Sequence, residues 1–348
     1  MKMSLVLFTK RSCLKEMSES LKIKNIRKKI AKMDQILILM HGSPDIDAIG
    51  SAYALLLFCL KKGKKAFIGI EEPIPSRYSF FLDKDKQNQF FITKKEADSR
   101  LWEWVIALDT SDVRLLGEFK DMTGKNPVLV LDHHATFHPY GAFHFNDPSY
   151  SSTSEILFDI LEKELDYEKA LSLYAGIVYD TGHFRYSSTT PALLRKIAFL
   201  IEKYQINTEW VYYHIFENES IERKKLSCLI SSTIESYEKN EVIVSYFPLR
   251  FKQELNLNES DTSDLVFVGN SVAGCLFSIF VKEKKDGVSV SLRSRTDFDV
   301  AELAEQWGGG GHQKASGIKI KNTTLEKSRT ELVPALIQHY KKWRENQP

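Results

Sequence analysis

The segment Leu129-Val-Leu-Asp132-His133-His134 places one acid and two imidazoles directly after an apolar run. In three other segments an acid or an imidazole also follows an apolar run. These segments are His41-Gly-Ser-Pro-Asp45-Ile-Asp47, Ile106-Ala-Leu-Asp109 and Ile177-Val-Tyr-Asp180. The polar groups therefore come where a buried element ends and a loop begins, which is where open α/β sheets bind their ligands. Carboxylates and imidazoles gathered at such an edge favour divalent cations, most simply a pair of them.

The chain around these segments alternates between strand-like and helix-like patterns. Short apolar runs without a polar face are typical of parallel strands covered on both sides, and they occupy residues 35–40, 66–70, 104–108 and 128–131. Helical periodicity follows at 48–62, 153–164 and 168–179, and Ser152-Thr-Ser-Glu155 has the form of a capping box. We therefore predict an α/β fold whose N-terminal domain is a parallel sheet with helices on both faces.

The second half of the chain has a different pattern. Residues from Pro191 to about Lys239 contain no glycine and predict a nearly continuous helix. Strand-like runs follow at 241–247, 271–281 and 288–292, and a helix at 324–344 closes the chain. This predicts a catalytic domain at 1–190 (with an N-terminal extension at 1–24), a helical connector at 191–240 and a smaller α/β domain at 241–348. We expect the active-site cleft to lie between the two domains.

Composition narrows the class of protein. Of the 348 residues 43% are hydrophobic and 27% charged, which is ordinary for a globular protein, and the net charge is only +2. Such a balance argues against a long nucleic-acid polymer as partner, since that would favour an extensive basic track. The longest apolar run, 52–60, is too short to cross a bilayer, and residues 4–8 are too short for a signal sequence. With four cysteines and no CxxC spacing, the sequence favours the reducing cytoplasm and no membrane partner.

The acidic residues of the four segments would repel one another if they met without cations. Asp45, Asp47, Asp109 and Asp180 in one site would force protonation or separation. Two divalent ions resolve this conflict, and mixed oxygen and imidazole ligands favour Mn²⁺, with Mg²⁺, Co²⁺ or Fe²⁺ as competitors. Two metals ~3.5–4 Å apart suit phosphoester hydrolysis by activation of a bridging water. Each acid alone has a simpler interpretation as a turn residue or helix cap, but their joint occurrence favours the metal site.

The first of these segments has its own local prediction. His41, Asp45 and Asp47 share odd numbering, so an extended segment would point all three side chains to one side. Pro44 excludes a continuous helix there. A helix that begins near Ala48 would then offer backbone N–H groups to an anion beside the metals.

A second set of residues predicts phosphate binding. The glycine run Gly308–Gly311 lets backbone approach a ligand closely and is followed by His312 and Lys314. Arg293 and Arg295 alternate on a predicted strand, and guanidinium matches phosphate bidentately. The alternative is a mobile glycine loop with surface arginines. Tyr186 is a further candidate, either stacking on a base or packing within the fold.

The run Asp132-His133-His134, preceded by His41-x-x-x-Asp45-x-Asp47, resembles the DHH phosphoesterase superfamily. The segments Ser291-Leu-Arg-Ser-Arg295 and Gly308-Gly-Gly-Gly-His312-x-x-Ala315-Ser-Gly317 resemble the DHHA1 domain. Together these likenesses cover roughly residues 25–340, and the combination is most similar to bacterial nano-RNases that also act as pAp phosphatases. One departure is Ile46, where many relatives carry glycine.

The resemblance implies a role for each matching position. One metal would be held by His41, Asp45 and Asp109, and the other by Asp47, Asp109, His133 and Asp180, with Asp109 bridging. His134 would face the substrate phosphate as hydrogen-bond donor or acid, so that His134 and Asp109 are the catalytic candidates, and Asp132 would orient the loop. The substrate-binding candidates are Arg293, Ser294, Arg295, Gly309, Gly310, Gly311 and His312. A homodimer is also implied by the resemblance alone.

These observations support a manganese-dependent phosphoesterase that degrades short RNA oligonucleotides to nucleoside monophosphates. It would also remove a phosphate from 3′-phosphoadenosine 5′-phosphate (pAp). Competing hypotheses are a phosphodiesterase for linear pApA in a cyclic-dinucleotide pathway and a polyphosphatase. A regulatory nucleotide-binding protein without turnover is the alternative outside the enzymes.

Overall fold

The computed structural model describes residues 19–75, 78–255 and 265–347. Most of the predicted N-terminal extension lies outside these ranges. The chain forms two compact units, Met1–Asn218 and Glu219–Pro348. We describe each unit by itself.

The first unit contains, within its described residues, one sheet of parallel strands. The sheet order is β1-β7-β6-β5-β2-β3-β4, with every pairing parallel. The strands are β1 (Glu19–Ser20), β2 (Ile36–Leu39), β3 (Ala66–Gly69), β4 (Phe91–Ile92), β5 (Trp104–Leu108), β6 (Val128–Asp132) and β7 (Phe143–Asn146). The parallel sheet predicted from the apolar runs is therefore confirmed.

Helices and short helical segments connect the strands. The α-helices are α1 (Ile23–Ile30), α2 (Ile46–Lys61), α3 (Lys84–Phe90), α4 (Lys94–Asp98), α5 (Thr153–Leu161), α6 (Tyr167–Asp180), α7 (Pro191–Tyr204) and α8 (Thr208–Tyr212). A 3₁₀ segment covers Val113–Gly124, another covers Glu162–Glu164, and a π-helical turn covers Tyr213–Glu217.

Successive residues of strand β2 pack against opposite layers. Ile36 and Ile38 belong to the core cluster that contains α1, α2, α5 and α6, whereas Leu37 and Leu39 belong to the cluster with α4 and the Val113–Gly124 segment. Because both faces are covered, the strands carry no polar face, as the sequence predicted.

Strand β2 is the point at which the chain changes direction across the sheet. From β2 the chain adds β3 and β4 on one side, then returns to place β5, β6 and β7 on the other side. The loops that follow β2 and β5 therefore diverge and leave a crevice at the carboxyl ends of the strands. His41 follows β2 and Asp109 follows β5, so both lie at this crevice.

The nearly continuous helix expected across 191–240 is corrected by the structure. Helix α7 ends at Gln205 in the left-handed conformation, Asn207 caps α8, and Ser220 caps α9 (Ile221–Ser231) through the N–H of Arg223. Polar caps, rather than glycine or proline, produce these breaks. The segment is divided between the two units, and it includes a strand, β8 (Glu235–Tyr237), before it ends in a 3₁₀ turn at Glu238–Asn240.

The second unit contains a mixed sheet with the order β12-β13-β11-β10-β9-β8. Its other strands are β9 (Val242–Phe247), β10 (Phe277–Lys284), β11 (Gly287–Ser294), β12 (Gly310–His312) and β13 (Ala315–Lys321). Its other helices are α10 (Leu249–Glu254), α11 (Phe267–Asn270), α12 (Val300–Glu305), α13 (Leu325–Lys327) and α14 (Val333–Glu345), the last two joined by the π-helical turn Ser328–Leu332. The smaller α/β domain of the prediction is confirmed.

One face of this second sheet packs on α12 and α14, and the other packs on α9 and α10. The glycine run, for which a mobile loop was the alternative interpretation, contributes the edge strand β12, which pairs with β13. None of the helices described is long and apolar enough to span a membrane.

Candidate metal centre

The loop between β2 and α2 contributes three of the predicted ligands. Asp45 caps α2, and its Oδ1 accepts hydrogen bonds from the backbone N–H of Asp47 at 3.0 Å and of Ala48 at 3.1 Å. Asp47 lies in the first turn of α2, so the prediction of an extended segment through Asp47 is wrong. The helix begins earlier because Asp45, rather than a later residue, supplies the cap.

Asp109 lies at the centre of the cluster. It follows β5 with a φ of 56°, a left-handed conformation that aspartate tolerates better than most residues. Its side chain is only 4% exposed. Asp109 Oδ2 lies 3.8 Å from Nε2 of His41, and Asp109 Oδ1 lies 3.5 Å from Nε2 of His133.

The two imidazoles after β6 have different partners. Nε2 of His133 is 3.1 Å from Oδ2 of Asp180, which ends α6. Nδ1 of His134 is 2.8 Å from Oδ1 of Asp132, a fully buried carboxylate. Because a carboxylate accepts, Nδ1 of His134 carries the proton, and this bond fixes the orientation of the ring.

All six predicted metal ligands come together at the carboxyl end of the sheet. Ligand atoms within 4.8 Å of one another occur in the group His41, Asp45 and Asp109, and again in the group Asp47, His133 and Asp180. A third group combines Asp109 with His133 and His134. Each group could hold a metal ion, and Asp109, a member of the first group, also lies 3.5 Å from His133 of the second.

The electrostatics of the site test whether this donor set fits divalent cations. Burial, followed by the charges of Asp109 and Asp180, raises the pKa of Asp47 to about 8. Burial likewise raises the pKa of Asp45 and of Asp180 above the ordinary range. Without cations the protonated forms of these carboxyls are therefore favoured relative to those of a free aspartate, whereas divalent ions would stabilise their charged forms. Oxygen and imidazole donors of this kind fit divalent cations.

In Asp109 and His134 the charged form is favoured instead. Burial opposes the charged form of Asp109, but the hydrogen bond with His133 and the nearby imidazoles outweigh it and lower the pKa of Asp109 to about 2. Burial also opposes the charged ring of His134, but its bond to Asp132 and the charge of Asp109 raise the pKa of His134. Asp109 therefore stays ionised, and His134 is favoured as a proton donor.

The amino-terminal turn of α5 supports two of the acids, and the sequence did not predict this. The backbone N–H of Thr153 donates to Oδ2 of Asp47 at 2.7 Å, and that of Ser154 donates to Oδ1 of Asp47 at 2.9 Å. The hydroxyl of Thr153 donates to Oδ1 of Asp109 at 3.1 Å. Only the N-cap Ser152, within the predicted capping box, marks this turn in the sequence.

A glycine of α6 completes this support. A Cβ at Gly176 would lie 2.1 Å from Oγ of Ser154 and 2.8 Å from Oδ1 of Asp47. The absence of a side chain therefore lets α6 approach both α5 and the metal-facing end of α2.

Replacing Thr153 by valine is expected to weaken Mn²⁺ binding by about 10-fold or more, because Asp109 loses the hydroxyl that orients it. Thr153→Ser keeps that hydroxyl and should bind Mn²⁺ as the unchanged protein does. Equilibrium dialysis of the metal-depleted proteins gives both affinities without any assay of activity. Equal Mn²⁺ affinity in Thr153→Val and the unchanged protein would show that the bond does not position Asp109.

The predicted substrate-binding residues lie together at one end of the second sheet. Arg293 of β11 and His312 of β12 are both register partners of Ala315 in β13, which lies between them. Arg295 follows β11, is exposed, and donates through Nη2 to the carbonyl of Asn270 at 2.7 Å. Ser294 is instead buried, and its hydroxyl bonds with Thr296 at 3.2 Å.

Close packing explains why two of the glycines in this region cannot carry a side chain. A Cβ at Gly309 would lie 2.2 Å from the carbonyl oxygen of Gly317, and one at Gly311 would lie 2.6 Å from that of Ala315. At Gly310 no atom lies within 4 Å of such a Cβ. Gly309 and Gly311 are therefore required for the close approach of this segment to β13, whereas Gly310 faces open space.

Comparison with known proteins gives consistent matches to both units. The family model "DHH family, N-terminal domain" matches residues 35–179, and the "DHHA1 domain" model matches residues 238–346. The bifunctional oligoribonuclease and PAP phosphatase NrnA of Thermus thermophilus is 30% identical over 86% of this chain and 89% of its own length. The protein of the same name from Bacillus subtilis is 26% identical over 84% of this chain and 91% of its own length.

A solved structure shows the same fold. The crystal structure of an exopolyphosphatase-related protein from Bacteroides fragilis superposes with a TM-score of 0.83 at 24% identity. The match covers 91% of this chain and 96% of that one.

Proposed function

The chain belongs to the DHH/DHHA1 phosphoesterase family and is a phosphoester hydrolase, and from this premise we propose that it cleaves short RNA oligonucleotides to nucleoside monophosphates. We propose that it also removes a phosphate from pAp. The observation that carries this proposal is the cluster of six ligands arranged as two groups around Asp109. The relatives named for oligoribonuclease and PAP phosphatase activity, which match most of the chain, support the choice of substrate.

Two divalent cations, Mn²⁺ in the first place, would be held by this cluster. His41, Asp45 and Asp109 would hold one, and Asp47, Asp109, His133 and Asp180 the other. When bound, such ions supply an activated water and stabilise charge on the phosphoryl oxygens. Mn²⁺ suits the mixed oxygen and imidazole set, with Mg²⁺ and Co²⁺ as competitors.

His134 would donate a hydrogen bond or a proton to the substrate phosphate. The Asp132 carboxylate, 2.8 Å from Nδ1, holds the ring and favours its charged form. His134 is 35% exposed, more than His41 or His133, so substrate can reach it. Asp109 acts through its charge, since it stays ionised and lies between the two ligand groups.

The second unit would bind the remainder of the substrate. Arg293, Arg295, His312 and the backbone at Gly310 are proposed to contact another phosphate of the chain being cut. Arginine at such a position matches phosphate geometry bidentately. A net charge near zero favours short substrates over long polymers.

Metal removal gives the direct test. The chelator-treated protein should be inactive, and added Mn²⁺ should restore release of mononucleotides from RNAs of two to five residues. Rates on longer RNAs should fall with length, and pAp should yield inorganic phosphate. Mg²⁺ and Co²⁺ in parallel rank the metals.

Linear pApA and polyphosphate serve as competing substrates in the same assay. Preference for either over short RNA and pAp would replace the proposed substrate. If the Mn²⁺-loaded protein hydrolyses none of the four, the proposed function is lost.

A further inference from the structure

The loop after Asp180 has an unusual backbone. Gly182, His183 and Phe184 have φ values of 56°, 57° and 65° in succession. Left-handed conformation is costly for residues with a side chain, and it persists where the surrounding contacts impose it. Such strain concentrates at binding sites, and this turn directly follows a member of the metal cluster.

Contacts with Thr181 hold the turn in place. Thr181 is fully buried, and its carbonyl accepts hydrogen bonds from the N–H of Arg185 at 2.9 Å and of Tyr186 at 3.1 Å. Its hydroxyl oxygen also accepts from the N–H of Phe184 at 3.1 Å. The backbone of Arg185 and Tyr186 is therefore fixed beside the residue that follows Asp180.

The turn presents an aromatic ring beside a cation. A Cβ at Gly182 would lie 2.7 Å from atoms of the Tyr186 ring, so the ring rests on the bare backbone of Gly182. Tyr186 is nevertheless 41% exposed. Nη2 of Arg185 donates to the Tyr186 hydroxyl at 3.1 Å, and the guanidinium lies 5.1 Å from the ring centroid.

Arg185 is exposed, and no carboxylate among the described residues forms an ion pair with it. Core packing does not explain an exposed ring held on a strained turn. An exposed aromatic face with an unneutralised guanidinium is instead how proteins bind single-stranded nucleotides, because every base has a π-face and every phosphate a charge.

We propose that Tyr186, positioned by Gly182 and flanked by Arg185, is the stacking platform for the nucleobase of the nucleotide whose phosphate is bound at the metal cluster. This inference rests on the proposed function. Stacking accepts any base, so the platform selects nucleotides over base-free phosphoesters without selecting sequence.

The experiment compares pAp with ribose 3′,5′-bisphosphate, which has the same phosphates and no base. Tyr186→Ala should lower kcat/KM for pAp by about 5- to 100-fold, chiefly through KM, and abolish the preference for pAp. Tyr186→Phe keeps the ring and should keep the preference. Tyr167→Ala is the matched control: Tyr167 is 50% exposed and begins α6, about 20 Å from Asp180 at the other end of that helix. Its loss should change kcat/KM for neither substrate.

Binding of adenosine 5′-monophosphate, measured by calorimetry against ribose 5-phosphate, separates this inference from the proposed function. Weaker binding of the adenosine nucleotide to Tyr186→Ala supports the platform even where neither bisphosphate is hydrolysed, a result that removes the proposed function alone. Unchanged preference and unchanged nucleotide affinity in Tyr186→Ala would overturn the platform. An equal loss on both bisphosphates would overturn it too, because the residue would then act on the metal cluster rather than on the base.

Discussion

Asp109→Asn is expected to lower kcat by about a thousand-fold or more while the fold stays intact. Asp109 lies between the two ligand groups, and the amide removes the charge that both proposed cations share. Bound cations supply several kcal/mol of transition-state stabilisation, and each 1.36 kcal/mol is a factor of ten in rate. Asparagine accepts the left-handed backbone at this position, with a φ of 56°, so the loop should keep its shape.

Single-turnover rates on pAp at saturating Mn²⁺, with circular dichroism for the fold, measure this effect. Asp112→Asn is the matched control on the same loop, because asparagine still caps the following 3₁₀ segment and only the ion pair with the exposed Arg114 is lost. A rate for Asp109→Asn close to that of the control would contradict the two-metal mechanism.

Gly176→Ala is expected to destabilise the first unit by about 1–3 kcal/mol and to lower activity by about 100-fold. The added methyl group would overlap Oγ of Ser154 and Oδ1 of Asp47, at 2.1 Å and 2.8 Å, and helices α2, α5 and α6 surround the position. Overpacking of this kind costs about 1–3 kcal/mol. Displacing Asp47 by a fraction of an ångström also disturbs the ligand set, and a 1 Å error can cost about 100-fold in rate.

Urea unfolding and Mn²⁺ affinity measure the two consequences separately. Gly124→Ala is the control, because no atom lies within 4 Å of a Cβ there and the backbone is not left-handed. We expect its stability to change by no more than about 0.5 kcal/mol. If Gly176→Ala keeps the stability and Mn²⁺ affinity of the unchanged protein, α6 can move away from α5 and Asp47 at no cost. The close approach at Gly176 would then not be needed to hold Asp47 in place.

The sequence predicts the central strands and the acids and imidazoles that follow them because both depend on local patterns. Strand β5 was predicted with its observed bounds, Trp104–Leu108, and β3 within one residue of them. The edge strands β1 and β4, and β7 beside β1, were missed because they are two to four residues long and owe their existence to a neighbouring strand.

The supports of the metal centre could not be read from the sequence. Thr153 bonds to Asp109 and Asp47, and Gly176 contacts Asp47, across separations that no local pattern encodes. The same holds for Gly309 and Gly311, whose contacts with Gly317 and Ala315 arise only when β12 folds onto β13. The sequence thus identifies the acids and imidazoles of the candidate site, but it does not identify the residues that hold them in place.

The order of strands around β2 has a consequence for how the chain folds. Strand β2 pairs with β5, whose residue Trp104 lies far along the chain from its partner Ile36, so this pairing closes a long loop. The ligands extend from His41 to Asp180, and the cluster is complete only when α6 has docked. The acidic side chains therefore meet only in the assembled unit, against their mutual repulsion. Divalent cations that bound only the native state would lower its free energy by mass action, so free metal would raise the folded fraction of the enzyme as well as its turnover.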